Sequence, residues 1–500
     1  MKVLLVYPKY PDTFWSFKHA LKFVSKKALY PPLGLLTIAA MLPATWEKRL
    51  IDMNTNTLRE QDLQWADYVL ISAMTVQSES AREVISRCKT AGVKMVAGGP
   101  LFTAHPENFA DVDHLVLNEA EETLAGFLED LGLGRARHLY VSKSFPDMKE
   151  TPIPLWKLIS MRRYASMNIQ YSRGCPFSCD FCDITTLFGH KVRTKSTAQV
   201  LQELEALYRA GWRGDLLFVD DNFIGKKKTI KEDLLPAMIQ WMKSRRYPFS
   251  LATEASINLA DDEELIRLMI RAGFESVFVG IETPDDQSLR ECDKLQNTDR
   301  DLVASVKRIQ KLGLRVQGGF IVGFDSDTPE TFKRQIEFVQ ESRIVTAMVG
   351  LLNAPRASRL YERLRKEDRV VKDITGDNTD FSTNIIPKMG YEKLIEGYRT
   401  IINGIYSPRM YYERVKAFLR EYKPMEKRKW HFHFRCIGYK LHYLDAPFKT
   451  LFVLGIKDKA RLYYWKLLIW SLFRRPRLLP QAITYMAYGF HFRKVYENHL

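Results

Sequence analysis

Apolar runs alternate with amphipathic stretches over the first part of the chain. Residues 2–8 form the first run, which ends at Pro8 as a buried parallel strand would. Similar runs follow at residues 48–52, 68–72, 94–97 and 114–117, and residues 78–91 have helical periodicity. Strands that alternate with helices predict an α/β fold, with a doubly wound, Rossmann-like parallel sheet over residues 1–138.

The alternation resumes after a proline-containing stretch. Residues 142–156 carry three prolines among polar residues, which predicts a linker over residues 139–165. Six strand-and-helix units follow, with strands expected at residues 168–171, 216–219, 249–254, 276–281, 316–322 and 346–352. Six units rather than eight predict a partial (β/α)6 barrel over residues 166–360, open on one side.

Beyond residue 360 the strand signals fade, and residues 361–500 are expected to form a mostly helical domain. Residues 391–406 and 409–422 have helical patterns. Residues 459–477 join an aromatic, leucine-rich face to flanking arginines. Such a helix either lies in the headgroup region of an anionic membrane or packs on the barrel with its basic side chains in solvent. We expect no spanning helix, because no window approaches 18 uninterrupted apolar residues.

The composition indicates a globular protein of several domains but does not identify its binding partner. The chain has 500 residues, of which 46% are hydrophobic, so two or three globular domains are expected. A net charge of +16 suits nucleic acid, an anionic membrane surface or acidic substrates. We expect no nucleic-acid partner, since no RNA-binding signature accompanies the charge. The sparse cysteines and the lack of a signal-peptide pattern indicate a reducing, cytoplasmic location.

Three of the six cysteines, Cys175, Cys179 and Cys182, lie within eight residues in the spacing C-x3-C-x2-C. Three thiolates this close can point at one metal centre. Structural zinc would want a fourth ligand nearby, and the nearest histidine is His190, eight residues further on. An iron–sulphur cluster held by three cysteines leaves one iron free to bind a small molecule. The spacing therefore favours a catalytic cluster over a zinc knuckle or a disulfide. A basic loop at residues 189–196 would clamp a carboxylate or phosphate, or cover the cluster.

This cysteine motif, with Phe181 just before its last cysteine, resembles the cluster loop of the radical S-adenosylmethionine (SAM) enzymes. Residues 218–223, 279–283 and 318–323 resemble the second-, fourth- and fifth-strand motifs of that family. The resemblance implies a 4Fe-4S cluster on the three cysteines, with SAM chelated by the open iron. It also implies an electron donor such as flavodoxin or ferredoxin.

Polar residues at carboxyl strand ends of such barrels tend to be catalytic, and Asp221, Glu254, Glu282 and Asp325 occupy these positions. The resemblance implies SAM contacts at Asp221, Glu254 and Glu282, and close backbone approach to adenosine at Gly319 and Gly323. For each carboxylate, a helix cap or an ion pair is the alternative.

The N-terminal third has three loops that resemble the cobalamin-binding domain fused to many radical SAM enzymes, at residues 31–35, 98–100 and 119–123. The resemblance implies cobalamin contacts from five residues, namely Pro32, Gly34, Gly98, Gly99 and Glu119. The signature Asp-x-His-x-x-Gly is absent from the first 140 residues, which in this family implies no histidine on the lower face of cobalt. The family usually has glycine where this chain has Asn118. A flavodoxin-like domain that has lost its ligand is the alternative.

Taken together, the resemblance implies a cobalamin-dependent radical SAM enzyme that methylates an unactivated carbon through a 5′-deoxyadenosyl radical. Cyclisation or another rearrangement without methyl transfer is an alternative within the class. An RNA-modifying methylthiotransferase is disfavoured, because it would carry a second trio of cysteines where this chain has only Cys88. A purely structural metal-binding module is the third option.

Residues 384–388 and 405–409 resemble a C-terminal extension in a subgroup that includes enzymes acting on hopanoids. We therefore expect a small-molecule, lipid or peptide substrate and a monomeric enzyme. Its location is expected to be cytoplasmic, or peripheral at the inner face of the membrane through the basic-aromatic C-terminal stretch.

Overall fold

A computed structural model describes residues 1–424 and 446–497 of the protein. Six parallel strands form an N-terminal sheet in the order β2-β1-β3-β4-β5-β6. They are β1 (Lys2–Tyr7), β2 (Glu47–Asp52), β3 (Tyr68–Ser72), β4 (Lys94–Gly98), β5 (His114–Val116) and β6 (Leu139–Tyr140). The helices of this part of the chain are Lys18–Leu21, Leu33–Met41, Glu60–Trp65, Ser78–Thr90, Pro100–Ala104 and Ala120–Gly132. Both faces of β1 are buried, as the continuous apolar run predicts.

A second parallel sheet of six strands follows in simple sequential order, from β7 to β14. Its strands are β7 (Ser166–Ile169), β10 (Gly214–Phe218), β11 (Phe249–Glu254), β12 (Phe274–Glu282), β13 (Arg315–Val322) and β14 (Ala347–Leu351). The longer helices between them are Thr197–Arg209, Leu235–Ser244, Glu263–Ala272, Leu302–Leu312 and Pro329–Ser342. The short antiparallel strands β8 (Ser172–Arg173) and β9 (Arg193–Thr194) pair at the two ends of the cysteine loop. The predicted α/β class, with its parallel sheet and partial barrel, is confirmed.

Helices make up the described C-terminal part of the chain. They are Arg359–Lys366, Tyr391–Tyr406, Pro408–Glu421, Ala446–Phe452, Arg461–Arg474 and Leu479–Glu497. The helix Tyr391–Tyr406 lies against Pro329–Ser342 of the barrel, where Gly397 meets the ring of Phe332. None of the helices in the described ranges is both long and apolar enough to cross a lipid bilayer.

Residues 14–25, which we call the N-terminal aromatic segment, pack in the hydrophobic core of the barrel instead of the core of the first sheet. Phe14 stacks on Phe492 with ring centroids 4.2 Å apart, and His491 donates a 3.0 Å hydrogen bond from Nε2 to the Phe14 carbonyl. The strand β6 pairs with β5 inside the stretch expected to be a linker. The domain limits at residues 138, 165 and 360 remain predictions.

The contact at Gly397 predicts opposite effects for the same substitution in two helices. A Cβ at Gly397 would lie 2.1 Å from Cε2 of Phe332, whereas a Cβ at Gly126 would have no neighbour within 4 Å. We expect Gly397→Ala to lower the free energy of unfolding by about 1–3 kcal/mol through overpacking. Gly126→Ala, the matched control, should raise it by about 0.5–1 kcal/mol through helix propensity. Denaturant midpoints measure both, and equal shifts would contradict the packing.

Candidate active site

One cavity of about 1020 Å³ extends between the N-terminal sheet and the interior of the barrel. All five residues predicted to contact cobalamin line it, namely Pro32, Gly34, Gly98, Gly99 and Glu119. Of the residues predicted to contact SAM, Asp221 and Glu254 line it from the carboxyl ends of β10 and β11. Ligands of parallel α/β sheets bind beyond these strand ends. The cavity therefore brings both groups of predicted residues to one space.

Gly34 shows that the cavity wall has room for a ligand. It lies in the first turn of the helix Leu33–Met41, where a Cβ would meet nothing within 4 Å. Glycine in a helix costs about 1 kcal/mol relative to alanine, and this position does not need a left-handed backbone. Asn168 of β7 lines the same cavity, where its Nδ2 donates to the Pro31 carbonyl at 3.2 Å and its buried Oδ1 has no hydrogen-bond partner among the described residues. Both features fit a wall that a bound molecule completes.

Backbone geometry explains the residue types at Gly98 and Gly99, at the end of β4, and at Asn118. A Cβ at Gly98 would approach the Val116 carbonyl oxygen to 2.4 Å, and Gly99 has φ of +91°. Asn118 has φ of +63° and donates its backbone N–H to Thr103 Oγ1 at 3.0 Å. Asparagine adopts this left-handed conformation more readily than most residues. It can therefore stand where the family usually has glycine. No histidine is among the described residues that line the cavity.

The cysteine loop is held by backbone contacts at its start. Gly174 has φ of +89°, and a Cβ there would lie 2.7 Å from the Gly189 carbonyl oxygen. Its N–H donates to Asp221 Oδ2 at 3.0 Å. Burial raises the pKa of Asp221 to about 6. The neighbouring Asp220 accepts hydrogen bonds from the backbone of Tyr171 and from Ser172 Oγ, and burial raises its pKa to about 7. Both aspartates thus position the loop, and Asp221 also faces the cavity.

The three cysteines of the loop are free thiols in a largely enclosed environment. Burial raises the pKa of each thiol, that of Cys182 to about 12, so metal binding must displace protons from them. Gln296 Nε2 lies 3.7 Å from Cys179 Sγ as a donor. Within the described ranges, no group of three or more His, Cys, Asp or Glu side chains is arranged to hold a single metal ion. A cubane cluster makes a different demand, since each of its cysteines ligates a different iron.

Glu282 lies beside this loop, with its carboxylate paired to Lys294. Lys294 Nζ is 2.7 Å from Glu282 Oε1, and Glu282 has φ of +64° at a bulge in β12. Burial alone would lower the pKa of Lys294, but Glu282 and Cys179 outweigh burial and raise it. Lys294 is therefore a buried cation next to the expected cluster ligands, where it would balance their negative charge. Nothing in the sequence motifs singled out Lys294 or Gln296.

A buried group of four charges joins the cysteine loop to the N-terminal domain. Arg173 Nη1 and Nη2 lie 2.5 Å from Glu119 Oε2 and 2.9 Å from Glu121 Oε1, respectively. Arg193 Nη2 lies 2.7 Å from Glu119 Oε1. Burial would raise the pKa of Glu121, but the Arg173 guanidinium holds it below its usual range. The basic loop at residues 189–196 thus clamps a carboxylate, which is Glu119 of the same chain. The sequence did not indicate the partner of either arginine.

Glu254 is the last residue of β11 and lines the cavity on the barrel side. Its accessible surface faces the cavity, which it lines together with Tyr30, Phe278 and Met348. Burial among protein atoms, with smaller contributions from Asp221 and Asp220, raises its pKa to about 7. A carboxyl group with a raised pKa accepts a hydrogen bond when it is ionised and donates one when it is protonated.

Three other predicted positions lie away from the cavity lining. Gly319 packs against Phe278, whose Cζ would be 2.7 Å from a Cβ there. Gly323 has φ of +112° and donates its N–H to Asp327 Oδ2 at 2.8 Å. Asp325 lies 2.6 Å from Arg369 Nη2. Burial would raise the pKa of Asp325, but Arg369 and its neighbours outweigh burial and lower it to about 2. Asp325 therefore takes the alternative role, that of an ion pair.

Comparison with known protein families found three matches along the chain. Residues 24–128 match the B12 binding domain, residues 169–339 match the Radical SAM superfamily, and residues 358–500 match a domain of unknown function, DUF4070. The fold resembles that of the cobalamin-dependent S-adenosylmethionine radical enzyme OxsB with aqua-cobalamin bound. That comparison has a TM-score of 0.62 at 15% identity, over 99% of this chain and 79% of the other.

Two curated relatives are more similar in sequence. An uncharacterized methyltransferase of Synechocystis sp. is 39% identical, over 99% of this chain and 92% of its own length. The hopanoid C-2 methylase of Rhodopseudomonas palustris is 33% identical, over 81% of this chain and 77% of its own length. The protein is thus a radical SAM enzyme with a B12 binding domain. Within that class it belongs to the family of the hopanoid methylases and their methyltransferase relatives, whose cofactors are a 4Fe-4S cluster, SAM and cobalamin.

The buried charge group predicts a large stability effect for one arginine. Arg173→Ala would leave Glu121 buried without its ion-pair partner, and we expect the free energy of unfolding to fall by about 3–5 kcal/mol. The matched control is Arg209→Ala, because Arg209 pairs with Glu205 on the surface with 78% of its side chain exposed. That change should cost less than about 1 kcal/mol. Denaturant unfolding compares the two variants, and equal midpoints would contradict a structural role for the group.

The open space at Gly34 predicts that one substitution will raise the stability of the cofactor-free protein and lower its affinity for cobalamin. Gly34→Ala should stabilise the cofactor-free protein by up to about 1 kcal/mol. The added methyl group would also crowd the bound cofactor, so cobalamin affinity should fall about tenfold or more. Gly126→Ala, in a helix position with no neighbour within 4 Å and outside the cavity lining, is the control for helix propensity alone. Absorbance titration with cobalamin measures the affinities, and unchanged binding in Gly34→Ala would remove this wall from the cobalamin site.

Proposed function

We propose that this enzyme transfers a methyl group to an unactivated carbon of a largely apolar substrate held in the cavity. The observation that carries the proposal is that the predicted cobalamin side and the flank of the cysteine loop line one cavity, the latter through Arg173, Leu187 and Phe188. Methyl transfer is favoured over cyclisation because the two relatives described above, at 39% and 33% identity, are a methyltransferase and a methylase.

The residues divide into two supporting sets. Cys175, Cys179 and Cys182 would ligate the cluster, with Lys294 balancing its charge and Gln296 donating to a sulphur. Asp221 and Glu282 flank the space where SAM would sit. Pro32, Gly34, Gly98 and Gly99 would accept cobalamin on the other side, with Glu119 fixed by its arginines. When bound, the cluster and SAM supply a 5′-deoxyadenosyl radical and cobalamin supplies the transferable methyl group.

The barrel side of the cavity supports an apolar substrate with an isolated polar group. Phe14, Trp15, Tyr30, Phe278 and Met348 supply apolar walls. Trp15 contacts Phe278 edge-on at 5.4 Å between ring centroids, which gives the wall a fixed shape. Glu254 would bind a hydroxyl group of the substrate beside these apolar walls. The similarity to a hopanoid C-2 methylase supports a lipid in this role.

The proposed reaction has further requirements. The protein needs a reductant, for which we propose a flavodoxin or ferredoxin, because a radical SAM enzyme consumes an electron to cleave SAM. We also propose that the enzyme works in the cytoplasm next to the inner face of the membrane, where apolar substrates are found.

Isotope transfer tests the reaction. The anaerobically reconstituted and reduced protein is incubated with SAM carrying a deuterated methyl group and with a neutral-lipid extract. We expect a lipid product that contains the intact labelled methyl group, together with 5′-deoxyadenosine. Release of 5′-deoxyadenosine without label in any product would instead support cyclisation or rearrangement.

Matched cysteine variants connect that reaction to the loop. Cys179→Ala should lower iron loading from about four atoms per chain and abolish 5′-deoxyadenosine release. Cys88→Ala changes a buried cysteine outside the loop, so its iron content should stay at the wild-type level. Full iron loading and SAM cleavage in Cys179→Ala would overturn the assignment of the cluster.

A further inference from the structure

The helix Arg461–Arg474 is apolar on two opposite faces. Tyr464, Leu467 and Ser471 are buried against the rest of the protein. The other face leaves large apolar side chains in solvent, namely Leu462, Trp465, Ile469, Leu472 and Phe473. Phe473 is 78% exposed and Leu462 is 68% exposed. A helix that only packs on a barrel would turn polar side chains toward solvent on this second face.

The adjoining segment extends the exposed apolar area. Phe448, Leu451 and Phe452 of the helix Ala446–Phe452 are exposed, and so is Ile456 in the following turn. Trp465 Nε1 donates a 2.9 Å hydrogen bond to the Gly455 carbonyl, which fixes the two elements side by side. We call these nine side chains, in residues 448–456 and 462–473, the C-terminal apolar surface. Contiguous exposed apolar patches of this kind mark interaction sites.

Positive charge surrounds this surface. Residues 446–480 contain eight lysines and arginines and a single acidic residue, Asp458. Asp458 is already paired with Arg493 at 2.6 Å. Lys466, Arg474 and Arg477 are exposed within or beside the apolar stripe. The surface therefore combines an apolar centre with an excess of cationic side chains.

We propose that the C-terminal apolar surface binds the surface of an anionic lipid bilayer, with its helices lying in the plane of the headgroups. Apolar side chains enter the boundary between headgroups and acyl chains, while lysine and arginine pair with anionic headgroups. A symmetric pair of two copies would bring like charges together, which opposes association. An acidic soluble partner would neutralise the positive charge, but it would not bury the exposed aromatic and leucine side chains.

Side-chain contacts link the C-terminal apolar surface to residues that line the cavity. Lys449 Nζ donates to Ser25 Oγ at 2.6 Å, which ties the helix Ala446–Phe452 to the N-terminal aromatic segment. That segment includes Phe14, which lines the cavity and stacks on Phe492 of the last helix. Membrane binding would therefore place a wall of the cavity near the lipid. The inference goes beyond the proposed function and does not depend on the identity of the substrate.

Vesicle sedimentation of the full-length protein tests the inference. We expect binding to vesicles of phosphatidylglycerol mixed with phosphatidylcholine, and at least tenfold weaker binding to vesicles of phosphatidylcholine alone or in high salt. The variant Ile469→Ser/Phe473→Ser should bind the anionic vesicles at least tenfold more weakly than the wild type. The control Leu133→Ser/Leu295→Ser changes two apolar side chains that are equally exposed elsewhere, and it should bind like the wild type.

A second variant isolates the electrostatic part. Arg474→Glu/Arg477→Glu leaves every apolar residue in place and should also weaken binding to the anionic vesicles at least tenfold. Wild-type affinity in both surface variants would overturn the proposal, as would equal binding of the wild type to neutral and anionic vesicles. The wild-type protein could instead fail to bind vesicles and form a dimer that the Ile469→Ser/Phe473→Ser substitutions dissociate. That result would overturn the proposal and identify the surface as a self-association interface. Methyl-transfer activity in detergent is measured in parallel, so that a failure of membrane binding is distinguished from a failure of the proposed reaction.

Discussion

The buried charge group of Arg173, Arg193, Glu119 and Glu121 fixes the position of the cysteine loop relative to the cobalamin-binding domain. Each charge is expensive to remove from water unless its partner is in place, so the group tolerates few arrangements other than the observed one. Glu119 precedes the helix Ala120–Gly132 in the first domain, and the two arginines bracket the cysteine loop in the second. The position of the cysteine loop against the B12 binding domain is therefore set by ion pairs inside the protein.

Much of the fold could be predicted from the sequence because apolar runs mark its strands. Residues 3–6 of β1 are all buried, as a continuous run predicts, and the predicted strand at residues 249–254 coincides with β11, in which buried residues alternate with partly exposed ones. The class of cofactor could be predicted from the cysteine spacing and the motif resemblance. The ion pairs between residues far apart in the chain could not be predicted from the sequence. Arg193 and Glu119 are 74 residues apart in sequence, and neither residue carries a local signal that identifies the other.

The candidate site shows the same limit at the level of single residues. Position at a strand end predicted that Asp221, Glu254, Glu282 and Asp325 would be polar groups near ligands, but it could not tell their partners apart. Asp325 forms an ion pair with Arg369 of the C-terminal region, and Glu282 forms one with Lys294. Glu254, in contrast, lines the cavity. At Gly319, where the resemblance implies backbone approach to adenosine, the ring of Phe278 lies where a Cβ would, and the adenosine contact stays a prediction. Side-chain packing between neighbouring strands decides such cases, and motif resemblance does not encode it.

The stacking of Phe14 on Phe492 has a consequence for how this enzyme can be divided and recombined. The segments that contain Phe14 and Phe492 meet inside one hydrophobic core, and Phe14 also lines the cavity. A fragment limited to the residues that match the Radical SAM superfamily would lack both partners of this contact. The C-terminal region is thus a structural component of the barrel and not an appended module. Exchange of this region between relatives would have to carry the aromatic N-terminal segment with it.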